Sequence, residues 1–557
     1  MENLTLAFNG PPTFAFRISS PIGTSGNIIV PATGLTIPFN IPAGGGEVTM
    51  PEAIWYAEIN QTAVGKGILV ETNDPVDLQA IHYRNFFSAG SRILPEDELG
   101  SFYRVLAAED LNQTGPSEVV IVATADNTVI EIVPATITSE LFAPGTPFSV
   151  TLNTGQIYQI QAQNDLTNTT VTSLNGEPIA VFAGAREGSI GCQTDNSHLY
   201  NQNLPESLWG KQFALVPYLA QGPNIFKVLA GSEDTEVFVN CELVATLNTG
   251  ETTEIDLSNE AILKTTKPVT VGHFNKGSDC NPLLSGPSFA VLHPLNLRST
   301  GGNFSTTDFL QNNHYVTFVV DNGDEPTLIF DGEQVLSNFQ SFNGNPNLKV
   351  ARLNIGSGVH TYSCPRGVWA EFASFDPYDA VTYCLPFNVL TPNSDVNIVS
   401  ATVVPNSPFC IGTPIQFTLF PQPFVLMPSW DFGDNGQANN ILKQHAFDAP
   451  GEYVVSFSGY DASGCLLIAE TAITILDCES SIEDINGNIE LIYTGSQLQA
   501  SEAGTLRLYA INGQLIREVY LPAQRSIALS ELGTGVYVAH FSTNRYKKTL
   551  RFFHEHE

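Results

Sequence analysis

The sequence predicts an all-β protein made of tandem β-sandwich modules, and three observations support this fold class. Apolar and polar residues alternate over short runs such as Val119–Ile132, as they do in strands that bury one face. Helical patterns are scarce, and segment 205–210 is predicted to form a single turn at most. The 45 glycines and 35 prolines interrupt the 557 residues every few positions, which is typical of short strands joined by tight turns.

Three short motifs repeat along the first 388 residues. The first motif is a strand, a polar turn and a second strand, with copies at Phe14–Val30, Val119–Ile132, Ile225–Val239 and Tyr315–Phe330. The second is a glycine-containing turn, with copies at Ile41–Val48, Leu152–Ile157, Leu247–Thr252 and Leu353–Val359. The third is a proline or glycine before an alternating strand, with copies at Pro75–Ala80, Pro178–Phe182, Pro268–Val271 and Gly367–Phe372.

The spacing of these motifs sets the size of the modules. Pro75, Pro178 and Pro268 lie 103 and 90 residues apart. A period near 100 residues, with six or seven short strands in each period, favours β-sandwich modules over short solenoid repeats. The sequence therefore predicts four units, at about 1–100, 101–205, 206–300 and 301–388. A propeller with large blades is the alternative arrangement.

Composition limits the classes of function. The hydrophobic fraction of 43% is that of a folded protein, while only 14% of the residues are charged, which is typical of secreted β proteins. The net charge of −33 repels DNA, RNA and anionic lipid, so we expect no nucleic-acid partner. No stretch of 18 apolar residues occurs, so we expect no transmembrane segment.

Residues 401–478, which follow a predicted linker at 389–400, carry a specific motif. Ser429–Gly436 reads SWDFGDNG, and a Gly-x-Tyr strand begins at Gly451. This segment resembles the PKD (polycystic kidney disease) domain, an Ig-like β-sandwich, although Asn435 interrupts the last Asp-Gly pair. The matching motif residues are Trp430, Asp431, Phe432, Gly433, Asp434, Gly451 and Tyr453.

The side chains of this motif have predictable structural roles. We expect Trp430 and Phe432 to point into the core, and Asp431 and Asp434 to bind turn amides. Because carboxylates in turns also ligate Ca²⁺, Asp431–Asp434 and Asp321–Glu325 are candidate calcium loops, although neither has EF-hand length and hairpin turns commonly have the same composition.

The eight cysteines contain no CxxC pair, and no histidine cluster supplies zinc-ligand spacing. An even number of cysteines in an exported chain favours disulfides, with free buried thiols as the alternative. Cys410 and Cys465 lie at opposite ends of the predicted 401–478 sandwich, and we expect them to pair. Cys364 and Cys384 form the second expected pair. The sequence does not assign partners to Cys192, Cys241, Cys280 and Cys478.

Residues 479–557 contain a hairpin signal and a basic end. Asn512–Gly513 lies between two apolar runs, and a type I′ turn prefers this dipeptide. An LxxLxxGxY-like strand that includes Gly535 and Tyr537 follows, and then a basic stretch that includes Lys547 and Lys548. In this order the pieces resemble the C-terminal sorting domain of the type IX secretion system of Gram-negative bacteria, a small β-sandwich. The usual Pro-Asn-Pro opening of that domain is absent.

That resemblance implies export to the outer-membrane surface by the type IX machinery. The first residues, Met1–Phe8, lack the basic start and apolar core of a signal peptide. We therefore expect that the chain is a fragment or a mature form whose start is missing.

The repeat region itself resembles the N-terminal domain of IgG Fc-binding proteins over most of residues 10–388. The resemblance rests on Ser117–Ile132, Val181–Gly184, Ser197–Pro205 and Trp209–Phe213, together with Cys192. Ser197 stands where that family has a second cysteine, so the local disulfide of the family is not expected here. Members are extracellular and associate with mucus, adhesion or surface recognition, and the resemblance supplies no catalytic residues.

No enzyme motif stands out beside these resemblances. His82, His198, His273 and His293 lie near predicted strand ends, and Ser197–His198 lacks the Gly-x-Ser-x-Gly turn of a hydrolase nucleophile. We therefore expect no catalytic activity, no cofactor and a secreted or cell-surface recognition protein that binds an extracellular protein, mucin or glycan. The alternative is a polysaccharide-binding module or an accessory of a secreted hydrolase system.

Overall fold

In the computed structural model the described residues are 13–56, 61–84, 87–112, 115–191, 195–219, 221–280, 285–306, 313–387, 389–390, 397–402, 409–420, 425–440, 443–461, 465–477, 491–494, 496–510, 515–523, 525–530, 532, 535–543 and 547–554. The chain divides into two compact parts. The first part comprises Met1–Asn397, Pro421–Pro428 and Phe457–Glu470. The second comprises Ile398–Phe420, Ser429–Ser456 and Thr471–Glu557.

Both parts are almost entirely β, which confirms the predicted fold class. In the described chain the one α-helix is α1, Glu52–Trp55. Short 3-10 turns lie at Glu96–Glu98, Glu206–Leu208, Ser278–Cys280, Glu325–Thr327 and Leu336–Asn338. The second of these is the single turn predicted within segment 205–210.

The first part is built from four sandwich modules, each with an inner and an outer sheet. The strands of module 1 are β1 (Thr13–Ser19), β2 (Thr24–Val30), β3 (Leu35–Ile41), β4 (Gly46–Met50), β5 (Leu69–Thr72), β6 (Asp77–Tyr83) and β7 (Ala89–Arg92). Its inner sheet has the order β4-β1-β6-β7, and its outer sheet has the order β3-β2-β5.

Module 2 repeats this plan with one additional strand. Its strands are β8 (Phe102–Arg104), β9 (Ser117–Ala123), β10 (Thr128–Val133), β11 (Phe148–Leu152), β12 (Ile157–Ala162), β13 (Thr170–Ser173), β14 (Ile179–Gly188) and β15 (Ser197–Gln202). The inner sheet has the order β12-β9-β14-β15, and the outer sheet has the order β11-β10-β13-β8.

In module 3 a single long strand belongs to both sheets. The strands are β16 (Gly210–Leu215), β17 (Asn224–Ala230), β18 (Thr235–Val239), β19 (Glu242–Leu247), β20 (Thr252–Leu257), β21 (Ala261–Asn275) and β22 (Ser288–Leu292). The beginning of β21 pairs with β16 and β18 in the outer sheet. Its end, after Pro268, pairs with β17 and β22 in the inner sheet.

Module 4 has the same long crossing strand. Its strands, with the short strand that follows them, are β23 (Leu297–Ser305), β24 (Asn313–Asp321), β25 (Ile329–Phe330), β26 (Glu333–Gln334), β27 (Phe339–Ser341), β28 (Leu348–Ile355), β29 (Val359–Asp376), β30 (Asp379–Cys384) and β31 (Val389–Leu390). Strand β29 pairs with β23 and β25 before Gly367 and with β24 and β30 after it. Gly367 has φ +95°, a conformation that favours glycine, so the third sequence motif marks the point where the chain passes between sheets.

Four inner strands meet at the centre of the first part. Each of β7, β15, β22 and β30 is the last strand of its module, and β7 and β22 each pack against both β15 and β30. The four modules therefore form a closed ring. This arrangement combines the predicted sandwiches with the circular order of the propeller alternative.

Modules 1, 2 and 4 each have an apolar cluster of their own, and the core of module 3 continues into module 4. In module 2, Val119 and Ile121 of β9 pack with Ile130 of β10 and Ile160 of β12. Burial of each such side chain stabilises the fold by about 1.5–3 kcal/mol. Alternation along the strands places every second residue in this core, as the sequence pattern predicts.

Residues beyond the ring form four smaller sheets. Between 397 and 475 the strands are β32 (Asn397–Thr402), β33 (Ile415–Phe420), β34 (Leu426–Asp431), β35 (Gln437–Ala438), β36 (Lys443–His445), β37 (Gly451–Tyr460) and β38 (Leu466–Ile475). Their sheet orders are β32-β33-β36 and β35-β34-β37-β38. Within the predicted linker 389–400, β31 pairs with β23, while 391–396 lie outside the described residues.

The end of the chain forms a small two-sheet sandwich, as the sequence predicts. Its strands are β39 (Leu491–Tyr493), β40 (Gln497–Ala500), β41 (Gly504–Ala510), β42 (Leu515–Leu521), β43 (Ser526–Ala528), β44 (Gly535–Ser542) and β45 (Lys547–His554). The sheet orders are β39-β40-β43 and β42-β41-β44-β45.

Candidate functional site

The axis of the ring is where polar side chains of several modules converge. Asn201 on β15 donates hydrogen bonds from Nδ2 to the carbonyl oxygens of Gly90 (3.3 Å) and Phe289 (3.4 Å). Its Oδ1 accepts the N–H of Val291 at 3.4 Å. One side chain therefore joins modules 1, 2 and 3.

Two carboxylates, the buried Asp379 and the half-buried Asp77, join module 4 to module 1. Asp379 accepts the N–H of Ser88 at 2.9 Å and its hydroxyl at 2.8 Å. Asp77 accepts the N–H of Asn303 at 2.6 Å. Burial raises the pKa of Asp77 to about 6, although this hydrogen bond lowers it. These contacts complete the ring across the widest separation in the sequence.

A small cavity lies at one end of the axis, where each module contributes residues. Gln202 Oε1 accepts the N–H of Leu94 at 2.8 Å, which fixes the orientation of the amide and leaves Nε2 without a partner among the described residues. The cavity is lined by Arg92, Leu94, Asn201, Gln202, Leu204, Val291, His293 and Cys384.

The titratable groups of this cavity do not form a reactive set. Burial raises the pKa of the Cys384 thiol, so it is not a thiolate nucleophile at neutral pH. Burial lowers the pKa of His293 well below its usual value. Arg92 lies 3.3 Å from Glu98 and over the ring of Phe387, so its charge is already compensated.

The remaining candidate histidines are buried at the seams between modules. His82 of module 1 and His198 of module 2 stack with ring centroids 5.1 Å apart. Burial is the main cause that lowers the pKa of both, to about 3 for His198. Neutral, stacked rings of this kind pack as aromatic core side chains.

His273 forms the arrangement closest to a catalytic dyad. Its Nδ1 lies 2.9 Å from Glu371 Oε1, and Tyr218 OH donates to the same carboxylate at 2.8 Å. Its Nε2 lies 3.0 Å from Asn224 Oδ1, so neither ring nitrogen is available to a nucleophile. The side chains of His273 and Glu371 are 0% and 1% exposed, which makes this a structural network between modules 3 and 4.

The carboxylates of the candidate calcium loop Asp321–Glu325 form ion pairs and a backbone hydrogen bond within the protein. Asp321 pairs with Arg298 at 2.9 Å, and Asp324 pairs with Arg366 at 3.0 Å. Glu325 accepts the N–H of Gly323. Within the described ranges, no group of three or more His, Cys, Asp or Glu side chains is placed to hold a metal ion.

The PKD-like motif has the predicted structural roles. Trp430 and Phe432 are both 0% exposed and lie in the core. Asp431 Oδ1 accepts the N–H of Gly433, and Asp434 Oδ1 accepts the N–H of Gly436, each at 2.9 Å. These findings confirm that the two carboxylates hold turn amides.

His445 completes the Asp434 contact. Its Nε2 lies 2.6 Å from Asp434 Oδ2, and its ring stacks on Phe432 with centroids 4.1 Å apart. Burial alone would raise the pKa of Asp434, but the hydrogen bonds from His445 and Gly436 lower it below its ordinary value. In the same segment, Tyr453 OH donates to the carbonyl of Ala449 at 3.0 Å, and Gly451 begins β37.

The predicted sorting-domain residues lie on strands β41 to β45. Strands β41 and β42 pair as the predicted hairpin, but Asn512 and Gly513 lie outside the described residues. Gly535 begins β44, and Tyr537 packs against the core of the C-terminal sandwich. Lys547 and Lys548 begin β45, the last strand of its sheet, while their side chains are outside the described set.

The cysteine predictions were wrong for both pairs. Cys465 is bonded to Cys241 of module 3, with Cα atoms 4.5 Å apart, and not to Cys410. Cys364 and Cys384 are free, buried thiols. The reason is that residues 457–470 belong to the first part, so Cys465 does not face the end of a separate sandwich.

The other cysteines follow the expected disulfide chemistry. Cys280 and Cys410 are each disulfide-bonded. Cys192 and Cys478 lie outside the described residues. Among the described cysteines of the first part, Cys241, Cys280 and Cys465 are therefore disulfide-bonded, while the two thiols of module 4 are free.

One repeated signal at the axis was missed in the sequence. A leucine and a proline end each of these inner strands or follow it within three residues, in Leu94–Pro95, Leu204–Pro205, Leu292–Pro294 and Leu385–Pro386. The proline lies just beyond the end of the strand, where the missing N–H prevents the pairing from continuing. Two leucines of this fourth repeat, Leu94 and Leu204, line the cavity.

These observations define the structural class of the protein: a ring of β-sandwich modules whose polar side chains at the seams serve packing. The family model described as IgGFc binding protein matches residues 89–370, just over half of the chain. The chain belongs to this family. The match covers modules 2 and 3 and most of module 4.

Comparison with solved structures finds tandem β proteins at very low similarity. A tetra-tandem repeat from the extending region of a large adhesion protein is 9% identical, with TM-score 0.12, over 86% of this chain and 95% of that one. The eight N-terminal Ig domains of Down Syndrome Cell Adhesion Molecule are 7% identical, with TM-score 0.14, over 98% and 70%. A biofilm-associated protein BSP domain is 8% identical, with TM-score 0.12, over 86% and 93%. Among curated proteins, none matches the chain.

No helix in the described chain is both long enough and apolar enough to cross a membrane.

Proposed function

We propose that this chain is a secreted or cell-surface recognition protein, without catalytic activity, whose ring binds an extracellular protein. The observation that carries the proposal is the family match over residues 89–370. The name of that family refers to the Fc region of IgG, an extracellular protein. The buried His273–Glu371 network and the buried Cys384 thiol support a binding role, because neither is open to a substrate.

The exposed side chains favour a protein ligand over a polysaccharide. Sugar binding commonly uses exposed aromatic rings, whereas all four tryptophans of this chain are buried. In the described ring, Tyr378 (45% exposed) is the one large aromatic among the exposed hydrophobic side chains. Exposed leucines and isoleucines are the more numerous group, and such side chains fit apolar pockets on proteins.

The loop between β10 and β11 is the candidate contact surface. Leu141 is 77% exposed and has φ +67°, a strained conformation for a leucine. Its N–H donates to the carbonyl of Thr138 at 2.9 Å, and Thr138 N–H donates to the carbonyl of Phe142 at 3.1 Å. These backbone hydrogen bonds support a loop that presents Leu141 to solvent, with Ile137 (48% exposed) four positions earlier in the sequence.

In this proposal the remainder of the chain connects the ring to the cell surface and directs its export. Residues 401–478 form a PKD-type domain, supported by the buried Trp430 and the turn contacts of Asp431. Residues 479–557 form the type IX sorting domain, supported by the β41–β42 hairpin. The protein is then carried to the outer-membrane surface by the type IX machinery.

Binding of the full chain to defined ligands tests the proposal. The immobilised chain is offered IgG Fc, purified mucin and a glycan array, and we expect it to bind a protein or mucin but no plain polysaccharide. Leu141→Asp should weaken that binding at least tenfold, while Leu174→Asp, at another exposed leucine of module 2 (54% exposed), should not. Binding to polysaccharide alone, or turnover of a glycan or peptide bond, would overturn the proposal.

A further inference from the structure

The described residues of segment 457–470, which are 457–461 and 465–470, pack on the outer sheet of module 3. Phe238 of β18 is 6% exposed and forms an apolar cluster with Leu466 and Ile468, against which Tyr460 packs. The rings of Phe238 and Tyr460 have centroids 5.8 Å apart. Phe238 faces outward from the module, so this segment is what buries it.

Polar contacts extend the same surface across three strands. Tyr460 OH donates a hydrogen bond to the Glu236 carboxylate on β18. Lys264 Nζ on β21 donates to the carbonyl of Leu466 at 3.2 Å. Lys211 Nζ on β16 lies 3.1 Å from Glu470. The outer face of module 3 is therefore complementary to this segment in shape and in charge.

The disulfide partner on module 3 occupies an unusual position. Asn240 and Cys241 form the two-residue turn between β18 and β19, and both have positive φ (46° and 72°). A type I′ turn of this kind favours glycine at its second position. The corresponding hairpin of module 4, between β25 and β26, has Asp331 and Gly332 there, with φ 51° and 82°.

We infer that Cys241 replaces the glycine that this turn favours because its bond to Cys465 locks residues 457–470 onto module 3. The outer face of module 3 is thus a docking surface for a segment of the same chain. It is closed to external partners while the disulfide is oxidised. Cys241 is exposed, so a thiol reductant in the surroundings reaches the bond.

Hydrogen exchange in the full chain tests the lock. In Cys241→Gly and in Cys465→Ser, amides of Leu466–Glu470 should exchange at least tenfold faster, while β17 in the inner sheet should keep its protection. Phe238→Ala, with the disulfide intact, should change the exchange of that segment less than threefold. Val244→Ser, at an exposed position of the same hairpin, is the control and should change nothing.

The two cysteine variants also separate the lock from the strain in the turn. Because glycine suits the turn, Cys241→Gly should leave the protection of β18 and β19 unchanged or higher, whereas Cys465→Ser leaves Cys241 in place. Unchanged exchange of Leu466–Glu470 in both variants would overturn the inference. So would a release by Phe238→Ala as large as that of the cysteine variants, because the apolar contact would then be the lock.

Discussion

Ser88 Oγ donates a 2.8 Å hydrogen bond to Asp379 Oδ2, across 291 positions of the sequence. The backbone N–H of Ser88 donates to the other carboxylate oxygen at 2.9 Å, and Asp379 is 2% exposed. Ser88 directly precedes β7 of module 1, and Asp379 begins β30 of module 4. This pair therefore closes the ring that the sequence repeats build in linear order.

Removal of the Asp379 carboxylate should destabilise the ring. Asp379→Ala leaves the Ser88 donors buried without an acceptor, and we expect a loss of about 2–4 kcal/mol in the free energy of unfolding. Asp379→Asn keeps one acceptor oxygen and should cost less. Denaturant unfolding of the full chain, with Asp97→Ala as an exposed control, measures the effect. An unchanged midpoint for Asp379→Ala would contradict this role.

Stability should fall in mild acid because of the stacked histidines. The unfolded chain binds a proton at each histidine near pH 6.5, whereas folded His198 stays neutral down to about pH 3. The stabilisation is therefore complete above about pH 6.5 and is lost as the pH falls toward the folded pKa, by up to about 1.4 kcal/mol per pH unit for each histidine. His82 acts in the same direction.

Asp77 opposes this trend, so a variant is needed to isolate the histidine effect. The pKa of Asp77 is raised to about 6, so the folded state gains a proton before the unfolded state does, and stability rises as the pH falls through that value. We expect His198→Phe to lose less stability than the wild type between pH 7.5 and 5.5 in denaturant unfolding. Equal losses in the two proteins would refute the histidine contribution.

The ring shows what the sequence could and could not predict. Strand alternation and turn residues are local, so motifs such as Val119–Ile132 predicted the strands and their module correctly. Ring closure depends on pairs such as Ser88 and Asp379, whose chemistry carries no local signal. His82, His198, His273 and His293 were candidates for a catalytic role because of their side-chain chemistry, but all four are buried and serve packing.

The cysteines illustrate a second limit. The positions of Cys410 and Cys465 at opposite ends of the predicted 401–478 sandwich favoured that pair, but Cys465 lies in a segment that is bonded to module 3. The apolar face of Phe238 and the non-glycine turn at Asn240–Cys241 were the available signals for the true pair. Both are visible only when one module is compared with its neighbour.

The WDFGD-type motif should prove structural and not catalytic or metal-binding. Trp430→Ala removes a fully buried ring and should cost about 3–5 kcal/mol in the second part. Asp431→Ala removes one turn contact and should cost about 0.5–1.5 kcal/mol. Thermal unfolding of the full chain, with and without Ca²⁺, gives the measurement. A calcium-dependent midpoint that Asp431→Ala abolishes would contradict the structural interpretation.

The proposed sorting domain at the end of the chain predicts an export phenotype. Residues 491–554 form sheets with their own core, in which Leu498, Leu508 and Phe541 are buried. Because a module with its own core contributes little to the stability of its neighbours, deletion from about residue 480 onward should leave the remainder folded. We expect that remainder to bind its ligand but to stay in the periplasm of a host with the type IX apparatus.

A fusion tests whether the sorting domain is sufficient for export without the rest of the protein. Residues 480–557 are joined to an inert periplasmic reporter, and the matched control carries residues 401–478 instead. We expect the first fusion to reach the cell surface and the control to remain inside, as measured by protease accessibility on intact cells. Lys547 and Lys548 begin the edge strand β45, where charge also protects against aggregation. If neither fusion reaches the surface, residues 480–557 are not a sorting signal, and those lysines serve only to protect that edge strand from aggregation.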